Sequence, residues 1–382
     1  MVRIIIFGQG LVATHFAVGL EKLKNGEILD YGVPLSDKIP VKYDELEIVG
    51  SYDVDTKKIG KTLYDIAKEV LGNSNIPSQL KDIVVKKGIH LGSMKGLPFK
   101  VEGLEEEKGL SNVINELINE WKALKPDVFI NVITTEPANE LHTIENIERA
   151  LMNKKLSASQ AYAYAVAKYS RETKSSVFIN AIPTPIANDP GYVELYKESK
   201  AVIFGDDGAT GATPLTADLL EHLRERNRRV LEIAQFNIGG NTDFLALDIP
   251  ERNIMKKKTK SSIIEDILGY DIPNYIKPTG YLPPLGDKKF VAMIIEYISF
   301  NNFKDELYVI ARINDSPALA GLLVDLARLA KIALDKKEYG TIYPINAFYM
   351  KNPGPKEAKS IAKTKAYDKL LEWLRIKDER YM

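Results

Sequence analysis

The first thirteen residues constrain the fold more than any other segment of the chain. Val2–Phe7 is an apolar, largely β-branched run broken only by Arg3, as expected of a strand buried on both faces of a parallel sheet. The turn Gly8-Gln9-Gly10 follows directly, and a helical pattern then runs from Leu11 to Leu23. This succession of strand, turn and helix predicts a doubly wound α/β sheet of the Rossmann type.

Strand and helix signals alternate to about residue 213, and the pattern then changes to longer strands with fewer helices between them. In the first part we predict strands at Leu46–Ser51, Asp127–Ile133, Val177–Ile179 and Val202–Phe204, and helices at Leu110–Leu124, Glu140–Lys154 and Ala158–Glu172. In the second part we predict strands at Val230–Phe236, Phe290–Phe300 and Glu306–Ile313, and helices at Pro317–Asp335 and Lys356–Leu374. The change predicts a second α+β domain with an open, partly antiparallel sheet. Residues 24–43 look like a surface excursion, and residues 57–103 give no clear pattern.

Composition excludes several classes of site. The chain has 382 residues, enough for two domains, and its 52 basic and 52 acidic residues cancel, which argues against a nucleic-acid partner. It has no cysteine, so disulfides, zinc–thiolate sites and thiol nucleophiles are excluded. Its four histidines form no His-x-x-x-His pair. No apolar run reaches the roughly 18 residues of a membrane helix, and we expect a cytoplasmic protein with no membrane partner.

Residues 8–13 fit the dinucleotide-binding pattern G-x-G-x-x-A. Gly8 would allow the tight turn, Gly10 would let the backbone approach a pyrophosphate, and Ala13 would permit close helix–strand packing. The helix N-terminus would then face the phosphates. We predict that the cofactor contacts this turn through Gly8, Gln9, Gly10, Leu11 and Val12. The alternative is a glycine-rich connection without a ligand.

Asp53 stands at the end of the second predicted strand, where a carboxylate would bind the ribose hydroxyls. It lies farther from the glycines than the usual roughly 20 residues, and the excursion over residues 24–43 would explain the difference. A carboxylate there favours NAD, because it would repel a 2′-phosphate. The alternative is a solvated turn aspartate.

Three motifs in the second half are unusual. Residues 205–213 (GDDGATGAT) follow a strand and can be a ligand loop, a flexible linker between domains, or both. Residues 237–243 (NIGGNTD) follow another strand and can be a ligand loop or simply a turn rich in turn-forming residues. Lys256–Lys260 can be a solvated face. Lys256 and Lys260 are four residues apart, however, and on a helix would share one face suited to an anionic phosphate.

Together these motifs resemble the signature of myo-inositol-1-phosphate synthases of the shorter, archaeal type. The resemblance includes Gln235–Leu245, the lysine run and Gly205–Asp207, and three further motifs. These are Gly286-Asp287-Lys288-Lys289, Asn314-Asp315-Ser316-Pro317 and Ala347–Pro353. The likeness runs in order from about residue 1 to residue 353. The chain departs from many members after Asp207, where glycine, alanine and threonine replace a lysine and a serine.

The resemblance implies a reaction that converts D-glucose 6-phosphate to 1D-myo-inositol 3-phosphate, which is the same compound as 1L-myo-inositol 1-phosphate. NAD oxidises C5 of the open-chain sugar, the enolate at C6 attacks the C1 aldehyde, and the reduced cofactor restores C5. The chain would therefore be an NAD-dependent isomerase. The alternative is a Rossmann dehydrogenase with net turnover of NAD(P), and a non-catalytic NAD-binding regulator is a further possibility.

Four lysines match the family's site positions. The resemblance implies that Lys256 moves the proton at the C5 hydroxyl and that Lys289 and Lys351 stabilise oxyanions, while Lys260 binds phosphate or the aldehyde oxygen. Asp243 and Asp315 would hold these lysines or a divalent cation such as Mg, Mn or Zn. The remaining implied contacts are sugar hydroxyls at Asn237 and Asn241, and the cofactor at Asp207, Thr210, Thr134 and Thr135.

The resemblance also implies the domain organisation and assembly. Residues 1–213, completed by residues 319–382, would form the NAD-binding domain. Residues 214–318 would form a catalytic domain whose sheet face joins subunits into a homotetramer.

Overall fold

The computed structural model describes residues 1–72, 75–247, 249, 251–252 and 263–376. Strands lie at β1 Val2–Phe7, β2 Leu46–Asp53, β3 Val85–Lys87, β4 Val128–Asn131, β5 Val177–Asn180, β6 Val202–Phe204, β7 Arg229–Gly239, β8 Asn274–Tyr281, β9 Lys288–Ile298, β10 Lys304–Asn314 and β11 Gly340–Thr341. Helices lie at α1 Leu11–Lys24, α2 Leu63–Leu71, α3 Leu104–Lys108, α4 Leu110–Leu124, α5 Ile144–Met152, α6 Ala158–Glu172, α7 Pro190–Glu198, α8 Ala212–Glu225, α9 Thr242–Leu247, α10 (described over 263–268), α11 Asp315–Lys336, α12 Tyr343–Tyr349 and α13 Lys363–Leu374.

The larger sheet is parallel, with strand order β11-β6-β5-β4-β1-β2-β3. Strand β1 lies between β4 and β2, so the chain order reverses on either side of it. In doubly wound sheets ligands bind at the carboxyl ends of the strands beside such a reversal. The predicted fold class is therefore confirmed, and the turn after β1 opens at that edge.

Both faces of β1 are covered, which explains its continuous apolar sequence. Ile4 and Ile6 pack in a core with Phe16 of α1, whereas Ile5 and Phe7 pack in a second core on the other face. Helices α1 and α11 contribute to the first core, and α4 and α6 contribute to the second. The prediction of a strand buried on both sides is confirmed.

The excursion over residues 24–43 is only partly a surface segment. Its apolar residues Leu35 and Ile39 are buried against α11. The guanidinium of Arg328 donates to the carbonyl oxygens of Val41 and Ile39, each at 2.7 Å, and pairs with Asp325 at 3.0 Å. Partners almost 300 residues away in sequence therefore order this loop, which local polarity alone could not indicate.

Two predicted helices begin later than their sequence patterns suggest. Helix α5 begins at Ile144, not at residue 140, because His142 has a φ of 67° and the Thr143 hydroxyl caps the helix by accepting from the Asn146 backbone N–H. The last helix begins at Lys363, not at residue 356. Residues before it pair with the loop after β6 instead, where the backbone N–H of Gly354 donates to the Gly205 carbonyl.

The smaller sheet has strand order β10-β9-β7-β8, with β7 and β8 parallel and the other neighbours antiparallel. One face is buried, where Met293, Ile295 and Ile233 pack against α8 and α10. The opposite face stays partly exposed. The prediction of an open, partly antiparallel second sheet is confirmed.

After β10 the chain returns to the larger sheet. Helix α11 packs against α1, and β11 pairs with β6 to extend the sheet at its edge. We keep the division into 1–213 with 319–382, and 214–318, as a proposal that this return supports. No helix among the described residues is long and apolar enough to cross a membrane.

Candidate active site

A cleft of about 340 Å³ opens at the carboxyl edge of the larger sheet, between it and the smaller sheet. The turn after β1, the end of β2 and the loop after β4 line it from one side. Residues 241–243, 315–316 and Lys351 line it from the other. Most of the predicted site residues of the described chain therefore meet in one cleft. Those on its walls are Gly8, Gln9, Gly10, Leu11, Val12, Asp53, Thr134, Thr135, Asp207, Thr210, Asn241, Asp243, Asp315 and Lys351.

The two glycines of the first turn meet different surroundings. Gly8 has a φ of 91°, and a Cβ built on it would lie 2.7 Å from Ile133 Cα, so the fold itself requires glycine there. A Cβ built on Gly10 would meet no protein atom within 4 Å. Gly10 also caps α1 without a side-chain hydrogen bond. The cleft side of this turn therefore offers open space and free helix N–H groups to an anion.

Gln9 borders the cleft with its backbone, because its side chain is buried beneath the turn. The Gln9 amide accepts from Ser51 Oγ at 2.9 Å and donates to Thr14 Oγ1 at 3.3 Å. Its backbone N–H donates to Asp53 Oδ2 at 2.6 Å. The turn and the end of β2 are thus held together by hydrogen bonds that fix their spacing.

Asp53 is oriented by its neighbours as well as by Gln9. Its Oδ1 accepts from the backbone N–H groups of Val54 and Asp55 at 2.7 and 2.8 Å. The Lys58 ammonium lies 3.4 Å from Asp53 Oδ2 and also lines the cleft. Sequence analysis missed Lys58, which stands in the segment without a clear pattern. A basic residue five positions after the predicted ribose-binding Asp53 was the available signal.

Lys351 and Asp207 form an ion pair on the wall of the cleft, with Nζ and Oδ1 3.1 Å apart and both side chains buried. The backbone N–H of Lys351 also donates to the Asp207 carbonyl at 2.6 Å. The neighbouring Asp206 accepts from five N–H groups of residues 180 and 186–188. Burial raises the pKa of Asp206 to about 6. The loop carrying Asp207 is therefore anchored in the protein interior.

Lys289 and Asp315 form a second pair behind Thr210. The Lys289 ammonium lies 3.6 Å from Asp315 Oδ2, and the Thr210 hydroxyl donates to Asp315 Oδ1 at 3.2 Å. Lys289 is buried and its ammonium lies 5.4 Å from the centre of the Phe244 ring. Asp315 reaches the cleft wall, whereas Lys289 is not among the residues lining it.

The motif after β7 approaches the loop after β4. The Thr135 hydroxyl donates to Asp243 Oδ1 at 3.0 Å, so a side chain of the motif after β7 contacts the loop that follows a central strand of the larger sheet. The Asn241 amide donates to Asp287 Oδ1 at 3.0 Å and its oxygen accepts from the Phe244 N–H at 3.2 Å. Asn241 thus orders the motif while lying on the cleft wall.

Asn237 lies deeper than sequence analysis suggests. It is 1% exposed, its Oδ1 accepts from Gln235 Nε2 at 3.1 Å, and it is not among the described residues lining the cleft. The strand alternation of β7 explains this position, because Asn237 shares the buried face with Gln235.

Lys256 and Lys260 lie outside the described residues. Arg252, four positions before Lys256, is buried and donates to the carbonyl oxygens of Ser93 at 2.8 Å, Lys95 at 2.9 Å and Thr135. Sequence analysis missed Arg252, because no local pattern distinguishes it and its partners are more than 100 residues away.

The two carboxylates proposed for a cation do not form a cluster with other ligands in the described chain. A group of three candidate ligand side chains occurs there, formed by His90, Glu105 and Glu106, and it includes neither Asp243 nor Asp315. Glu105 accepts from the backbone N–H groups of His90 and Leu91, so its carboxylate already orders a loop.

The chain is similar in sequence to proteins of one family. A family model described as myo-inositol-1-phosphate synthase matches residues 211–316. The inositol-3-phosphate synthases of Mycobacterium tuberculosis and Corynebacterium glutamicum are 25% identical over 377 residues and 26% identical over 367 residues. These matches cover 95% and 92% of this chain, and 94% and 93% of the two relatives.

Solved structures extend the likeness to the whole chain. A myo-inositol-1-phosphate synthase-related protein from Thermotoga maritima is 54% identical, with a TM-score of 0.94, and the match covers 99% of this chain and 100% of that one. The inositol-3-phosphate synthase of Caenorhabditis elegans is 17% identical with a TM-score of 0.83, covering 100% of this chain and 87% of that one. The second likeness shows a shared fold.

Proposed function

The chain belongs to the myo-inositol-1-phosphate synthase family, and on that premise we propose that it converts D-glucose 6-phosphate to 1D-myo-inositol 3-phosphate. The observation that carries the proposal is a single cleft. In it the glycine turn after β1, Asp53 and the buried pair of Lys351 and Asp207 meet. Such a site combines a place for a dinucleotide with a cationic group for sugar oxygens. A dehydrogenase with net NAD(P) turnover is not favoured, because the chain matches inositol-3-phosphate synthases along almost its whole length.

NAD is the cofactor we propose for this cleft. The open space at Gly10, the uncapped N-terminus of α1 and the carboxylate of Asp53 fit its pyrophosphate and ribose. A bound NAD would supply this cleft with a hydride acceptor for C5 of the sugar and, in its reduced form, with a hydride donor to the same carbon. Thr134 and Thr135, in the loop after the central strand β4, would border its nicotinamide end.

The lysines supply the proton and charge chemistry in this proposal. After C5 becomes a ketone, C6 loses a proton and the resulting enolate attacks the C1 aldehyde to close the ring. The C1 alkoxide then takes up a proton, so that the ring closure neither consumes nor releases one overall. Lys351 would stabilise a developing oxyanion from the cleft wall, where Asp207 holds its ammonium. Lys289 would do the same after a small displacement past Asp315. We assign Lys256 to the C5 hydroxyl proton and Lys260 to phosphate or aldehyde oxygen.

The other polar residues position these groups. Asp243 joins the motif after β7 to Thr135, which would keep the catalytic domain at a fixed distance from the nicotinamide. Asn241 lies on the cleft wall, where it would contact a sugar hydroxyl. Asn237 is buried at the start of the motif after β7, where its side chain accepts from the Gln235 amide. It would contact the sugar only after these two side-chain amides rearrange.

A divalent cation at Asp243 and Asp315 does not fit the described residues as a complete site. Each carboxylate already accepts from a threonine hydroxyl, and Asp315 also faces the Lys289 ammonium. Mg and Mn prefer about six oxygen ligands, and neither carboxylate belongs to a group of three candidate ligands among the described residues. We therefore assign no step to a cation.

We propose that the chain forms a homotetramer through the open face of the smaller sheet. Exposed apolar side chains lie side by side there, since Tyr308 is opposite Ile294 and both Ile310 and Phe236 are opposite Ala292. Ile310 is 76% exposed and Tyr308 is 62% exposed, which is unusual for large side chains in a contiguous patch.

A cytoplasmic location stays a prediction.

The experiment for the proposed function is an incubation with glucose 6-phosphate and NAD. Phosphorus NMR identifies the product, and absorbance follows the reduced cofactor. Inositol phosphate formed without net reduced cofactor supports the proposal. Steady accumulation of NADH with an oxidised sugar would support the dehydrogenase alternative and overturn it.

A further inference from the structure

Lys363 is a buried lysine that the proposed reaction does not use. It is the first residue of α13, and its side-chain nitrogen donates to the carbonyl oxygens of Ala347 at 2.6 Å and Met350 at 2.7 Å. The residue is 6% exposed. A buried lysine with two short hydrogen bonds to backbone has one fixed position.

The two carbonyls that Lys363 binds belong to the end of α12. Met350 is the C-cap of that helix and directly precedes Lys351. The last carbonyls of a helix lack helical partners, and a lysine is well suited to bind them. Lys363 therefore fixes the backbone from which the Lys351 side chain extends to Asp207.

Other contacts hold Lys363 and Lys351 to the same framework. The Lys363 backbone N–H donates to Asp218 Oδ1 of α8 at 2.6 Å, which ties the start of α13 to the domain of the smaller sheet. The Ser360 hydroxyl donates to the Lys351 carbonyl at 3.3 Å. Hydrogen bonds therefore hold both ends of the segment from Lys351 to Lys363 in place.

Burial lowers the pKa of Lys363 to about 7, a net value in which the attraction of Asp218 opposes the shift and the charge of Lys351 adds to it. A neutral amine still carries two N–H groups, which is the number that the carbonyls of Ala347 and Met350 require. The contact with the end of α12 therefore persists whether or not the side chain is charged.

We propose that Lys363 is a positioning residue that sets the reach of Lys351 into the cleft. The inference rests on the proposed function, in which Lys351 stabilises an oxyanion of the sugar. Lys363 itself does not touch the cleft, since it is not among the residues lining it. Displacing a catalytic group by about 1 Å can cost about 100-fold in rate.

A double-mutant cycle tests the role of Lys363. Lys363→Met should lower kcat by about 10- to 100-fold and leave NAD affinity unchanged, because only the placement of Lys351 changes. In a Lys351→Ala background the same substitution should lower kcat less than about twofold. An equal loss in both backgrounds would show that Lys363 acts on stability alone and overturn the proposal. Lys369→Met, on the exposed side of α13, is the matched control and should keep full activity.

A second measurement needs no turnover and separates this proposal from the proposed function. A short pulse of acetic anhydride, followed by peptide mass spectrometry, measures how fast Lys351 reacts. Lys363→Met should raise the labelling of Lys351 several-fold and leave that of the exposed Lys154 unchanged. Unchanged labelling of Lys351 contradicts the inference even if the wild-type chain makes inositol phosphate. Should the methionine variant not fold, Lys363→Arg, which keeps N–H donors, is compared with the wild type in the same assay, and raised labelling of Lys351 there contradicts the proposal.

Discussion

The ammonium of Lys351 lies 3.1 Å from the carboxylate of Asp207, although the two residues are 144 positions apart in the chain. Both side chains are almost completely buried, and both border the cleft. A charge pair in such a place interacts more strongly than one in water, but removing either partner leaves an uncompensated buried charge. The pair therefore links the stability of the C-terminal segment to the chemistry of the cleft.

Lys351→Ala should abolish most turnover and leave NAD bound. Loss of one oxyanion donor typically lowers kcat by about 100- to 1,000-fold. Calorimetric titration with NAD and a product assay with glucose 6-phosphate measure the two effects separately. Lys369→Ala serves as the control, since Lys369 is exposed on α13. A Lys351→Ala variant with wild-type kcat would show that the assignment of Lys351 is wrong.

Substitutions at the two glycines of the first turn should affect different properties, NAD binding at Gly10 and the stability of the fold at Gly8. Gly10→Leu should keep the fold, because its Cβ meets no protein atom, and should weaken NAD binding by more than about tenfold, or about 1.4 kcal/mol. Gly8→Ala should lower the free energy of unfolding by about 1–3 kcal/mol through its φ of 91° alone, and by more because the new Cβ would lie 2.7 Å from Ile133 Cα. Melting curves and NAD titrations measure both. Normal NAD affinity in folded Gly10→Leu would place the cofactor elsewhere.

Lys58 should weaken the preference for NAD over NADP that Asp53 provides. Its ammonium lies 3.4 Å from Asp53 Oδ2, and its side chain is 29% exposed. Lys58→Gln should therefore raise the ratio of NAD to NADP affinity by about two- to fivefold, the range of a partly exposed ion pair. The neighbouring exposed Lys57 provides a Lys57→Gln control. An unchanged ratio in Lys58→Gln would mean that this lysine does not act on the ribose site.

The open face of the smaller sheet should be an interface between subunits. Ile310→Glu places a charge in the apolar patch, on the edge strand β10, where burial in a contact would cost several kcal/mol. Light scattering should find a tetramer for the wild type and a smaller species for this variant. Met152→Glu, at a position that is 75% exposed on α5, should stay tetrameric. Identical masses for Ile310→Glu and the wild type would place the interface on another surface.

Local sequence signals predicted the helices and strands of this fold well where these depend on residues close by in the sequence. The burial of β1 on both faces, the turn at Gly8 and Gly10, and the helix beginning after Ser157 depend on apolar pattern and cap residues. The late start of α13 was not predictable in the same way. It depends on pairing between residues 351–354 and the loop at 205–207.

The site shows the same division. Asp53 was recognisable because it ends the second strand of a dinucleotide-binding unit, and Asp207 and Lys351 because they stand in motifs that resemble a family. Lys58, Arg252 and Lys363 were not, because their importance depends on which carbonyls and carboxylates face them in three dimensions. The depth of Asn237 likewise depends on which face of β7 the tertiary packing buries.

The most direct test of the account uses glucose 6-phosphate that carries deuterium at C5. If one NAD molecule removes and returns the same hydride within each turnover, the inositol phosphate should keep its deuterium, and no net reduced cofactor should appear. Mass spectrometry of the product and absorbance of the cofactor measure both quantities. Deuterated NADH that accumulates in step with an oxidised sugar would contradict the account.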